Sequence, residues 1–216
     1  MADHPRYINT ANLPRAFFDN AAEADQKPLF FAKRDGAWCG MGWDQAASSV
    51  KRLAGALIGA GITPRDRVIV SAENRPEWAI ADLAIMAIGA IVVPAYTTNT
   101  EDDHHFIMEH SGAAAIITSG GLLASRLALA ATRAPQVRTM IVMDPNNGVS
   151  VPATIAVRHW SEIMAKTPPL ANLDEHIDAI DSDDTCCLVY TSGTGGRPKG
   201  VMLLSLIHIS EPTRPY

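Results

Sequence analysis

Residues 67–95 open on Arg67-Val68-Ile69-Val70-Ser71, continue through Glu73-Asn74-Arg75-Pro76-Glu77-Trp78, and close on Ala90-Ile91-Val92-Val93-Pro94-Ala95. The first and last runs are short, apolar and rich in β-branched residues, the pattern of strands buried on both faces. Between them, 75–88 is long enough for a helix, with Asn74 expected as its cap and Pro76 near its start, where the missing N–H costs least. Strand, helix, strand at this spacing is a right-handed crossover unit, which demands parallel pairing. The alternation continues as helix 101–111, strand 113–118, helix 122–132 and strand 137–143. The fold class is therefore α/β, a mostly parallel, doubly wound sheet with helices on both faces.

Upstream, an amphipathic helix is expected over 13–24. Strands 28–33 and 37–41 flank the turn Arg34-Asp35-Gly36 as a hairpin. From Trp43 the residues Val50, Leu53, Ala54, Leu57 and Ile58 fall at helical spacing, and Gly59 with Gly61 supplies a stop. Downstream of Pro145 the pattern loosens into loops with two short helices near 160–166 and 173–180. Residues 185–190 then read as a buried strand, with Cys186 and Cys187 expected on opposite faces.

Composition narrows the function classes. The 216 residues carry 18 Lys and Arg against 23 Asp and Glu, a net charge of −5, which argues against a nucleic-acid partner. With 47% hydrophobic residues the chain can bury a substantial core. The amino terminus lacks the basic start and apolar run of a secretory signal. The most apolar stretch, 83–93, is far short of the roughly twenty residues a membrane span needs. Three cysteines, Cys39, Cys186 and Cys187, suit neither a disulfide framework nor spaced zinc ligands. A cytoplasmic location is expected.

The chemistry concentrates in Tyr190-Thr191-Ser192-Gly193-Thr194-Gly195-Gly196-Arg197-Pro198-Lys199-Gly200. Glycines let backbone N–H groups approach anionic oxygens, hydroxyls donate hydrogen bonds, and an ammonium balances charge, which together suit a polyphosphate. The spacing is not that of a Walker A loop, since Pro198 precedes Lys199 and Gly200 follows it, and no dinucleotide fingerprint can be aligned on its glycines. The competing reading is a flexible hairpin turn with a solvated lysine. Asp102, Asp103, His104, His105, Glu109 and His110 miss metal-site spacings and read as a polar helix face. The four tryptophans read as packing residues, and Lys51-Arg52 and Arg65-Asp66-Arg67 as solvated edges.

The loop resembles the phosphate-binding motif of the AMP-forming adenylate-forming enzymes: acyl-CoA synthetases, luciferases and peptide-synthetase adenylation domains. It departs from that motif at Gly195, where many members carry Thr. Glu73-Asn74-Arg75-Pro76-Glu77-Trp78, Pro94-Ala95-Tyr96-Thr97-Thr98-Asn99-Thr100 and His110-Ser111-Gly112 are similar to the long-chain fatty acyl-CoA synthetases, most like the bacterial ones. The resemblance implies an ATP-dependent ligase that converts a fatty acid through acyl-AMP to acyl-CoA. ATP, magnesium on its phosphates, and coenzyme A would be required. Thr191, Ser192, Gly193, Thr194, Gly195 and Gly196 would hold the β- and γ-phosphates, and Lys199 would add charge. Long-chain substrates make peripheral membrane contact reasonable. Two other readings stay open: a ligase for aromatic or other carboxylic acids, and a non-catalytic nucleotide-binding module.

By the same resemblance, residues 1–203 are expected to be part of an amino-terminal AMP-binding domain, incomplete and inactive alone, with the C-terminal catalytic region missing. Residues 204–216 resemble the translation of a transposase-type sequencing adapter and are expected to be foreign to the fold. Apolar surface is expected around Val201.

Overall fold

A computed structural model describes residues 11–24, 27–34, 36–144, 151–192 and 197–205. Its central sheet has seven strands in the order β7-β6-β5-β3-β4-β8-β9. These are β3 (Arg67–Ser71), β4 (Ile91–Pro94), β5 (Ala115–Thr118), β6 (Thr139–Val142), β7 (Ala156–His159), β8 (Thr185–Thr191) and β9 (Lys199–Leu204). All neighbours pair in parallel except β8 with β9. A separate antiparallel hairpin joins β1 (Pro28–Arg34) to β2 (Ala37–Gly42).

Strand alternation splits the core in two. Val68, Val70, Val92, Ala115, Ile117 and Ile141 pack with α2 (Trp43–Gly59) and α3 (Pro76–Ala87). The same cluster receives α1 (Leu13–Glu23), α6 (Trp160–Lys166) and α7 (Leu173–Asp178). Ile69, Val93, Ile116, Met140 and Val142 face α4 (Glu101–Ser111) and α5 (Gly121–Ala131) on the other side. From β3 the chain crosses to β4 on one side of β3, and from β5 it moves outward through β6 and β7 on the other. The winding therefore reverses between β3 and β5, as a doubly wound sheet requires.

Local chemistry sets the helix ends. Asn12 caps α1 by accepting from the Arg15 N–H at 2.9 Å, and its own amide donates to the Ile177 carbonyl at 3.1 Å, tying α1 to α7. Thr100 and Asp103 form a reciprocal capping box on α4. The hydrogen bonds from the Thr100 side chain and backbone hold the Asp103 carboxyl below its usual range.

Gly112 closes α4 at φ 64°, and a Cβ there would lie 2.6 Å from a guanidinium nitrogen of Arg67. That guanidinium donates to the Ser111 and Gly112 carbonyls at 2.6 and 2.7 Å, satisfying the last turn of the helix. Gly112→Ala combines left-handed strain with displacement of this guanidinium. It should cost about 2 kcal/mol and lower the melting temperature by roughly 4–8 °C. An unchanged thermal transition would contradict the packing.

The structure corrects several expectations. The N-cap position of α3 is Arg75, not Asn74, and no side chain caps it; Pro76 at the first helical position shifts the boundary. Residues 156–159 form strand β7, too short and too exposed on an edge for periodicity to disclose. Cys186 and Cys187 join the same apolar cluster, because a register shift between Thr185 and Cys187 interrupts the alternation. Arg67 is a helix-capping residue rather than a solvated edge. Arg52 donates to the Thr167 carbonyl at 2.6 Å, and the Lys51 ammonium lies 5.4 Å from the Phe18 ring centroid. Trp38 is 71% exposed on its hairpin, whereas Trp160 is buried and Trp43 stacks on Phe17. On the edge strand β9, Val201 and Met202 are exposed.

Candidate functional site

β8 runs parallel to β4, so the loop that follows it leaves from the carboxyl side of the sheet, where ligands of doubly wound folds bind. Thr191 ends β8 and Lys199 begins β9, and the two are register partners across the antiparallel pair. Both are exposed, as is Ser192. A hydroxyl and an ammonium thus start side by side at the neck of a short loop. Gly193, Thr194, Gly195 and Gly196 lie outside the described residues. The strands that flank it, β8 and β9, pair in antiparallel fashion, so what the connection binds is the difference between the turn reading and the phosphate reading.

The stem below the loop is anchored. Tyr190 is 7% exposed and pairs with Gly200. Its hydroxyl lies 2.8 Å from His110 Nδ1 on α4. Burial pushes the Tyr190 phenol up, so it keeps its proton at neutral pH. The polar face of α4 is otherwise occupied structurally: Asp102 pairs with Arg133 at 2.9 Å, and His105 approaches Glu109 at 3.6 Å. His104 is fully buried, with neither ring nitrogen partnered among the described residues. Burial, followed by the charge of Arg126, pushes its pKa down to about 4, so it stays neutral.

At the reversal of winding, Ser71, Thr118 and Ser119 carry buried hydroxyls with no hydrogen-bond partner among the described residues. Beside them, the Arg75 guanidinium bridges Glu77 at 3.0 Å and Asp144 at 2.7 Å. Arg75, Glu77 and Asp144 border a cleft of about 1020 Å³, also lined by Lys33, Trp38, Glu73 and Trp160. The buried hydroxyls went unnoticed in the sequence because each is an ordinary strand-end residue; only their adjacency in space marks them.

Asp82 was also missed. It is half-buried on α3, its charge is felt by Cys186 and Cys187, and burial raises its carboxyl to about 7. The same burial, with Asp82 adding to it, pushes the Cys186 and Cys187 thiols up to about 11 and about 12. Its signal was an acid inside the apolar run 79–93.

Comparison with known proteins agrees with the fold. The model of the family described as AMP-binding enzyme matches residues 17–205. The long-chain-fatty-acid–CoA ligase FadD15 of Mycobacterium tuberculosis is 30% identical over 210 residues, covering 95% of this chain and 33% of the relative. The chain therefore spans about a third of that relative's length. Among solved structures, a benzoate CoA ligase from Burkholderia xenovorans superimposes with a TM-score of 0.71 at 22% identity, over 90% of this chain and 34% of that one. The A-PCP didomain of a carboxylic acid reductase from Segniliparus rugosus gives a TM-score of 0.77 at 19% identity, over 93% and 33%. These two likenesses establish the fold.

Proposed function

The chain belongs to the AMP-binding enzyme family, and from that premise we propose that the loop from Thr191 to Lys199 grips the β- and γ-phosphates of ATP in an acyl-CoA ligase. The observation that carries this reading is the register pairing of Thr191 with Lys199, which sets a hydroxyl and a cation together on the ligand side of the sheet. Thr191, Ser192 and Thr194 would donate hydroxyl hydrogen bonds, Gly193, Gly195 and Gly196 would admit backbone N–H groups, and Lys199 would neutralise charge. Within this reading, residues 1–203 are part of the amino-terminal AMP-binding domain.

The reaction is two transfers. A carboxylate oxygen attacks the α-phosphorus of ATP and pyrophosphate leaves; the thiol of coenzyme A then attacks the acyl carbon and AMP leaves. This chain's part is to hold the departing pyrophosphate unit in line with the attack and to offset its growing charge. Among the described residues no group of three His, Cys, Asp or Glu side chains is placed to hold a metal. Hydroxyls, N–H groups and an ammonium suit phosphate oxygens rather than a cation, so magnesium is expected to arrive with the nucleotide.

For the acid we propose a long-chain fatty acid, supported by the likeness to FadD15 across nearly the whole chain. Peripheral contact with a membrane would then serve substrate delivery; no helix among the described residues is long and apolar enough to cross one. The test is carboxylate-dependent exchange of labelled pyrophosphate into ATP by the native gene product. A long-chain acid should support exchange and benzoate should not. Exchange with benzoate alone would move the protein to aromatic acids, and no exchange with any acid would remove the ligase reading.

A further inference from the structure

Tyr190 touches both stems of the loop. It is the last buried residue of β8 before the exposed pair Thr191 and Ser192. Across the hairpin it faces Gly200, the residue after Lys199. A Cβ at Gly200 would sit 3.4 Å from Tyr190 Cζ and 3.2 Å from Leu188 Cδ1, so the absence of a side chain there gives the phenol ring its place over β9. On its other side the ring meets Phe106 edge-on at 6.2 Å and 84°, and His110 edge-on at 5.6 Å and 81°. Phe106 and His110 stack on each other at 5.3 Å. The hydrogen bond between the Tyr190 hydroxyl and His110 Nδ1 fixes the ring's reach along this cluster.

We infer that Tyr190 is a positioning residue for the nucleotide loop, held by His110 so that Thr191 and Ser192 on one strand and Lys199 on the other keep the spacing a triphosphate needs. The inference rests on the ATP reading of the loop. Packing centres the ring between Gly200 on one side and Phe106 and His110 on the other. The hydrogen bond is directional. The contact joins the phenol oxygen to Nδ1 at 2.8 Å. α4 thereby sets the position of the loop's base without touching the nucleotide.

Such a residue acts on alignment rather than on the number of phosphate contacts, so its loss falls on kcat more than on KM. In the exchange assay with the native gene product, Tyr190→Phe keeps the ring and removes the link. It should lower kcat roughly tenfold, with KM for ATP and the melting temperature nearly unchanged. His110→Ala should give a similar kcat, and the double variant should be no worse than either single one, since both remove one interaction. Wild-type kcat in Tyr190→Phe, or losses that multiply in the double variant, would overturn the inference while leaving the ligase reading intact. Absence of carboxylate-dependent exchange in the wild type would overturn both.

Discussion

Lys199→Ala slows carboxylate-dependent pyrophosphate exchange by roughly 10²- to 10³-fold, the loss expected when one fixed charge or donor is removed from a site that stabilises a leaving anion. The expectation follows from position. Lys199 opens β9 directly opposite Thr191, and its ammonium is exposed at the loop neck rather than engaged in the core. An exposed lysine has little packing to lose, so the folded state should change by no more than about 0.5 kcal/mol. The variant therefore separates chemistry from folding. Lys199→Arg should recover part of the rate, because the charge remains while the planar head changes its geometry. Exchange at the wild-type rate in Lys199→Ala would place this side chain outside the reaction.

Asp82→Asn stabilises the protein above neutral pH, and the gain disappears in acid. Burial raises the Asp82 carboxyl to about 7 from its ordinary value of 3.8. A raised carboxyl favours the fold most where both states are protonated, and that advantage shrinks once the unfolded chain ionises while the fold must hold its proton. That contribution is fully present below pH 3.8 and is lost as pH rises through 7. Above that point the wild type carries a charge on α3 with no cation or hydrogen-bond partner among the described residues. Because Asp82 retains some exposure, the penalty is set at roughly 2–4 kcal/mol. Melting curves of both proteins should diverge between pH 4 and 8, with Asp82→Asn higher at pH 8 and equal near pH 4. Parallel curves would show that water reaches the carboxylate freely.

Much of the scaffold is legible in the sequence. Strand 67–71 and helix 101–111 were located to the residue, because each carries its own boundary marks: Pro64 and Asp66 before the strand, Thr100 and Gly112 around the helix. The parallel arrangement followed from alternation alone. Strand β7 did not, since four residues with a single β-branched member, Val157, leave no period to detect. The Arg65-Asp66-Arg67 cluster misled for a different reason. A charge run looks solvated in one dimension, yet Arg67 reaches 44 positions along the chain to cap α4.

The loop motif itself was equally plain, being contiguous. The residues that support it were not. His110 and Tyr190 lie 80 positions apart and meet only because α4 packs against β8.

What the order of residues determined was every property carried by neighbours along the chain: apolar alternation, helix stops, and a stretch of glycines and hydroxyls closed by Lys199. Those properties depend on local backbone preference and side-chain type, which need no folding to exist. Tertiary structure alone decided what distance and solvent exclusion create. It set Lys199 beside Thr191, laid Tyr190 over Gly200, buried Ser71 with Thr118, and moved the proton affinity of Asp82. Each of these arises when segments remote in sequence are brought within a few ångströms and water is driven from between them.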